Sequence, residues 1–144
     1  MTVFHKVKNV APLPEFKLSV QFSEGITKIY DVKNLISKWD MFTVLREKPE
    51  LFHFVEVDVG GYGIIWGDDL DISCDELWNN GVTIETPFDG LMAFSDATAL
   101  WNLNESTLRK AITYGKLVDG VDVRKFGKQW VVSMKAMCRE YGEP

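Results

Sequence analysis

The chain has 144 residues, of which 46% are hydrophobic and 26% charged, so its composition is that of a globular protein and argues against disorder, collagen or coiled coil as the main architecture. No run approaches the roughly 18 apolar residues of a membrane span, and residues 1–8 lack the apolar stretch of a secretory signal. Two cysteines, Cys74 and Cys138, are too few for a disulfide framework or a closed four-ligand zinc site, so we expect a reduced, cytoplasmic location and no membrane partner.

The net charge of −5 is unevenly distributed along the chain. Residues 1–90 carry 8 basic and 15 acidic residues, a net charge of −7, whereas residues 91–144 carry 8 basic and 6 acidic residues, a net charge of +2. This division predicts an acidic domain followed by a small basic one, with ordinary charge scatter as the alternative.

The first predicted elements are two strands and a helical region. Residues 16–22 alternate apolar and polar side chains, which predicts a half-buried strand, and a turn leads to a second strand over 26–30. Asp31 is placed to begin a helical stretch, and a further one spans 41–47 before Pro49.

A second pair of strands is expected further along the chain. Residues 52–59 are dense in β-branched and aromatic residues, which predicts a central strand. Gly60-Gly61 then predicts a two-residue hairpin turn, because glycine tolerates positive φ, and residues 62–66 return as the partner strand.

A short helix completes the first predicted domain. Ser73 and Glu76 have the spacing of a capping box, and Asn80-Gly81 marks the end of the helix. Residues 83–91 are the predicted linker. We therefore expect an acidic α+β domain over 1–86, built on a small antiparallel sheet with helices, and a mostly α domain over 87–144.

Neither domain shows a pattern that predicts catalysis. The acidic cluster favours a solvated loop over a metal site, because its spacing is not that of a calcium loop. Cys74 begins a helix, where a thiol pKa can fall, but no histidine partner is evident. We expect no enzyme activity, no catalytic residue, no metal and no cofactor. The cluster consists of Asp68, Asp69, Asp71, Asp75 and Glu76.

The second domain is predicted to begin with two helices and a tight turn. Ser95 is placed to cap a helix over 96–101, and Asn102 tolerates the left-handed conformation of the turn. Asn104 is a good N-cap for a second helix over 105–114, which Gly115 ends.

A hairpin and a last helix follow. Strands over 121–126 and 129–132 flank Gly127-Lys128, and Ser133 is placed to cap a helix over 134–141. The order is that of a winged helix-turn-helix, whose core we expect to include Trp101, Leu117, Phe126 and Trp130.

Two resemblances extend these predictions. Ser106-Thr-Leu-Arg-Lys110 and Gly115-Lys-Leu117 resemble the excisionase-like and MerR-like helix-turn-helix group, as does Phe126-Gly-Lys-Gln-Trp130 before Ser133. Residues 10–80 resemble a small bacterial domain of unknown function through Pro12-Leu-Pro-Glu-Phe-Lys-Leu18 and the segment 66–77. Some members of that family are fused to a helix-turn-helix, and others stand beside a small companion protein, as in toxin–antitoxin pairs.

The predicted DNA-contacting residues lie on the second helix and on the wing. Leu108, Ala111 and Ile112 fall on one face of the helix, which leaves polar and basic residues on the other, suited to guanine edges and phosphates. A solvated helix face and a charged but inert hairpin are the alternatives. The candidate residues are Ser106, Thr107, Arg109, Lys110, Thr113, Arg124, Lys125 and Lys128.

Two functional hypotheses follow from these patterns. The first is a bacterial transcriptional regulator that binds duplex DNA through residues 91–144 as a homodimer, with residues 1–86 binding a ligand, a protein partner or a second copy. The second is an antitoxin-like protein-interaction module whose helix-turn-helix is autoregulatory or silent.

Overall fold

The computed structural model describes residues 4–144, which form two compact units: the first ends at Pro87 and the second spans Phe88–Pro144. Antiparallel sheets and short helices make up the first unit, and a helix-turn-helix with a hairpin makes up the second, so the predicted α+β class is confirmed. Within the described residues, no helix has both the length and the apolar character needed to cross a membrane.

The first unit contains a four-stranded antiparallel sheet in the order β1-β2-β3-β7. Its second strand alternates in burial, with Leu18, Val20 and Phe22 almost fully buried, so the alternation read from the sequence is confirmed. The strands are β1 (Val7–Leu13), β2 (Lys17–Phe22), β3 (Thr27–Asp31) and β7 (Val82–Ile84).

A second, three-stranded sheet in the same unit has the order β4-β5-β6, from β4 (Glu56–Val57), β5 (Gly63–Trp66) and β6 (Leu70–Ser73). The long central strand predicted over 52–59 is wrong, because a helical turn over Pro49–Phe52 takes its first residue. Proline is favoured in the first turn of a helix, which explains why this segment does not start as a strand.

The hairpin between β4 and β5 has a longer loop than the two residues predicted. Gly60 and Gly61 do have positive φ, 77° and 79°, but they belong to a 3-10 turn, and the last paired residues are Val57 and Ile64. A Cβ on Gly61 would lie 2.6 Å from the carbonyl oxygen of Val7, so glycine is required by the close approach of β1 as well as by φ.

Short helices complete the first unit. Ser73 Oγ accepts the Glu76 N–H at 3.1 Å, as half of the predicted capping box requires. The other half is wrong, because the Glu76 carboxylate accepts the Tyr30 hydroxyl instead. The helices are α1 (Lys33–Lys38), α2 (Val44–Glu47), α3 (Pro49–Phe52) and α4 (Cys74–Asn80), with a 3-10 turn at Asp40–Thr43.

The second unit is a helix-turn-helix followed by a hairpin and a helix. Its three-stranded antiparallel sheet has the order β8-β10-β9. The elements are β8 (Leu91–Ala93), α5 (Phe94–Trp101), α6 (Glu105–Thr113), β9 (Val123–Phe126), β10 (Gln129–Ser133) and α7 (Met134–Tyr141).

Two details at the start of this unit differ from the sequence prediction. The predicted linker over 83–91 overlaps strands at both ends, because β7 and β8 each pair with a distant strand. Helix α5 begins at Phe94 rather than after Ser95, and it has no side-chain cap. Phe94 is buried and stacks on Trp130, so tertiary packing takes this residue into the helix.

The core of the second unit includes Leu108, Leu117, Val132 and Met137, all fully buried. Leu117 therefore lies where the sequence predicted it. Trp101 and Trp130 are partly buried against this core. The core prediction for Phe126 is wrong, because its side chain is 56% exposed at the end of β9.

Candidate nucleic-acid interface

The tight turn between α5 and α6 is made by residues 102–104. Asn102 is left-handed, with φ 54° and ψ 51°, as the sequence predicted. The Leu103 N–H donates to the Thr98 carbonyl at 2.9 Å and ends α5. Asn104 stands at the N-cap of α6, but its side chain makes no cap hydrogen bond; its carbonyl accepts the Thr107 N–H at 3.0 Å.

Helix α6 has one buried face and one exposed polar face. Leu108 and Ala111 are 0% and 4% exposed and anchor the helix on the core. Thr107 is partly buried, so it lies at the edge of the polar face. The face itself consists of residues spaced i, i+3, i+4 and i+7, which are Ser106, Arg109, Lys110 and Thr113, all exposed.

The polar face of α6 contains one surface ion pair. Arg109 Nη2 lies 3.1 Å from Glu105 Oε2, one turn earlier, and both side chains are well exposed to solvent. The Thr113 hydroxyl donates to the Arg109 carbonyl at 3.3 Å. Exposed pairs of this spacing contribute only about 0.3–0.5 kcal/mol, so Arg109 can leave Glu105 for a stronger anion at small cost.

The β9–β10 hairpin presents three exposed cations. Gly127 has φ 63° and Lys128 does not have positive φ, as a type II′ turn requires. Arg124 and Lys125 alternate between the two faces of β9, and Lys125 Nζ lies 6.0 Å from the centre of the Trp130 ring. Arg124 and Lys125 therefore point to opposite faces of the hairpin, and Lys128 lies in its turn.

A charged network holds the segment between α6 and the hairpin. Asp122 is only 7% exposed and accepts hydrogen bonds from Arg139 at 2.9 and 3.1 Å and from the Val118 N–H at 2.9 Å. Arg139 also donates to the Lys116 carbonyl at 3.1 Å and to Glu140 at 2.8 Å. These hydrogen bonds fix the pKa of the Asp122 carboxyl below its usual value, chiefly through Arg139.

The sequence does not predict this network, although the network holds the segment that joins α6 to the hairpin. Asp122 and Arg139 are 17 residues apart, and the only local signal is an acid between the apolar Val121 and Val123. Arg139 is one of the 8 basic residues of 91–144, but its charge is compensated by Asp122 and Glu140. Five of the remaining seven cations lie on α6 and the hairpin, and the other two, Lys116 and Lys135, lie outside them.

The first unit contains a cleft of about 750 Å³ between β3, α1 and α4. On its wall, the Tyr30 hydroxyl donates to Glu76 Oε2 at 2.8 Å, and Asn80 donates to the same oxygen at 2.9 Å. Burial and the Glu76 carboxylate raise the pKa of Tyr30, so its hydroxyl stays protonated. Trp39, at 52% exposure, lines the same cleft.

Cys74 and part of the acidic cluster lie where β6 leads into α4. Asp71 lies on β6 and Asp75 and Glu76 lie on α4, rather than in the predicted loop. Strand β6 forms because its apolar residues Leu70 and Ile72 are buried and pair with β5. Within residues 4–144, no three His, Cys, Asp or Glu side chains are grouped so as to hold a metal ion. Burial raises the pKa of the Cys74 thiol, opposite to the fall that a helix N-terminus can cause.

Comparison with known protein families agrees with this division. Residues 84–144 match a family described as a helix-turn-helix domain. Residues 7–83, more than half of the chain, match a family described as a protein of unknown function (DUF2442), and the chain belongs to that family. No curated protein and no solved structure gives a significant match.

Proposed function

We infer that the chain binds duplex DNA through its second unit, with α6 in the major groove. The observation that carries this inference is the exposed polar and basic face of α6, formed by Ser106, Arg109, Lys110 and Thr113, within a helix-turn-helix domain. An α-helix fits the major groove, and arginine pairs with the two acceptors on the guanine edge. Lys128 and its neighbours on the hairpin are suited to backbone phosphates.

The first unit is proposed to regulate this binding rather than to contact DNA. Residues 1–90 carry a net charge of −7, and phosphates repel such a surface. A single module of this size makes few base contacts, so a homodimer reading two half-sites is the expected form of a transcriptional regulator.

The Arg109→Ala variant tests the site directly. We expect it to weaken DNA binding by about 1–3 kcal/mol, roughly 5- to 150-fold, because a bidentate base contact is lost. The measurement is fluorescence anisotropy of the full chain at low and physiological salt, with a labelled duplex selected from a random pool for tight binding.

Lys135→Ala is the matched control for this experiment. Lys135 is exposed on α7, beyond Ser133 and so at the end of β10 opposite the Gly127-Lys128 turn. We expect near wild-type affinity for it. Equal losses of DNA affinity in the two variants would mean that Arg109 acts only through its positive charge. Unchanged affinity in both variants would mean that α6 is not part of the DNA-binding site.

The second candidate is a protein-interaction role for the first unit, as in an antitoxin-like module. It is favoured by the exposed apolar side chains of Trp39 and Met41, 52% and 63% exposed, beside the cleft. Exposed apolar patches of this kind mark interaction surfaces. Sedimentation of the free chain gives the mass of the species in solution. A dimer or larger species indicates self-association, and a monomer leaves this surface for a different protein partner.

A further inference from the structure

Phe126 is an exposed aromatic side chain at the end of the wing. It closes the β9–β10 hairpin opposite Gln129, directly before the Gly127-Lys128 turn, and its side chain is 56% exposed. Among the described residues it stacks on no other ring, in contrast to Trp130 on the opposite strand, which stacks on Phe94. Covering this ring with a partner would remove apolar surface from water and so favour binding.

Two cations lie near the ring, which also lines a shallow cavity of about 190 Å³ with Leu91, Val121 and Val131. Arg124 lies two residues before Phe126 on the same face of β9, and Lys128 follows in the turn. The hairpin sequence from Val123 to Ser133 contains no aspartate or glutamate. An apolar ring within a group of cations is suited to a partner that is both anionic and able to take an apolar contact.

Duplex DNA is such a partner, and a second copy of this chain is a poorer one. A two-fold interface through this face would bring Arg124 and Lys128 close to their own copies, and like charges repel. In DNA the phosphates attract the cations, while the base steps of the minor groove accept apolar side chains such as phenylalanine. With α6 in the major groove, a hairpin of the same unit can reach the neighbouring backbone or minor groove.

We propose that Phe126 inserts its ring against the base edges of the minor groove and partly unstacks one step there, so that the wing bends the duplex. This inference rests on the proposed DNA binding of α6 and adds to it a contact of a different physical kind. Arg124 and Lys128 hold the hairpin on the phosphates. The ring of Phe126 contributes affinity that does not depend on counterion release.

The test uses the full chain and a mixed-sequence duplex of roughly 25 base pairs with a donor and an acceptor dye at its ends. Anisotropy at several salt concentrations gives the affinity and its salt dependence, and energy transfer gives the bend. We expect Phe126→Ala to bind about tenfold more weakly than wild type, with an unchanged salt slope and a straighter duplex.

Two variants serve as controls. Phe126→Leu keeps an apolar wedge and is expected to retain most of the affinity and the bend. Lys128→Ala is expected to lower the salt slope by about 1 while the bend remains. Because Phe126 is exposed, thermal unfolding of all three variants should match wild type, so a loss of binding cannot come from a loss of folding.

Several outcomes would overturn the inference. Wild-type affinity and bending in Phe126→Ala would remove the ring from the interface, and if Arg109→Ala still binds weakly, the proposed function stands without the wedge. A change of oligomeric state in Phe126→Ala would assign the ring to contacts between copies. A wild-type chain that shows no salt-dependent binding to the duplex would overturn both proposals.

Discussion

The Trp66→Ala variant is expected to lose a large part of the stability of the first unit. The side chain is 2% exposed, and its Nε1 donates to the Phe52 carbonyl at 3.1 Å. Its ring stacks on the Phe52 ring, with the two ring centres 6.0 Å apart. Truncation of a buried tryptophan costs about 3–5 kcal/mol, and it leaves the Phe52 carbonyl without its donor. Since domains are typically stable by only about 5–15 kcal/mol, this loss removes between about a fifth and all of the stability of the unit.

The same unit offers a matched control in Trp39. That side chain is 52% exposed, so Trp39→Ala should change the free energy of unfolding by less than about 1 kcal/mol. Urea unfolding gives the two free energies, and amide hydrogen exchange in β2 reports on the first unit alone. Equal losses in the two variants would contradict the assignment of Trp66 to the core.

Leu108→Ala is expected to destabilise the second unit strongly. Leu108 is fully buried on the inner face of α6, and truncation of such a leucine costs about 2–5 kcal/mol. The unit spans only Phe88–Pro144, and units of this size have little stability to lose. DNA binding should therefore fall together with the melting temperature.

The neighbouring Arg109 separates folding from binding on the same helix. Arg109→Ala removes an exposed ion pair with Glu105, so its unfolding free energy should change by about 0.5 kcal/mol or less while DNA affinity falls. Circular dichroism and anisotropy on both variants give this comparison. A Leu108→Ala protein with wild-type melting would contradict the assigned orientation of α6.

Features set by local sequence were predictable. The alternation in β2 follows from Leu18, Val20 and Phe22, and the turn at Asn102 follows from its tolerance of positive φ. Ser133 caps α7 through the Ala136 N–H at 3.1 Å, as its position indicates. In each case the deciding interaction lies within a few residues along the chain.

Features set by tertiary pairing were not predictable. The strands β7 and β8 are three residues each and exist through pairing with β3 and β10, so the sequence alone favours a linker. The aromatic segment 52–59 indicates a strand by composition, yet Pro49 starts a helical turn that includes Phe52. Composition does not distinguish between these alternatives when the apolar run is short.

The candidate site also combines features that the local sequence predicts with features that depend on tertiary pairing. The polar face of α6 follows from helical periodicity, since Leu108 and Ala111 define its opposite. The pairing of Asp122 with Arg139 joins residues far apart in sequence and could not be read locally. The sequence predicts Phe126 in the core because small domains bury aromatics, whereas the structure leaves it exposed on the wing.

Mapping the DNA contact surface tests the central claim most directly. The measurement is the change in backbone amide resonances of the isotope-labelled full chain when duplex DNA is added at physiological salt. The account predicts that the largest changes in amide resonances fall within 104–114 and 123–130. The resonances of the first unit should change little. Changes concentrated in residues 1–87, or no changes at any DNA concentration, would contradict it.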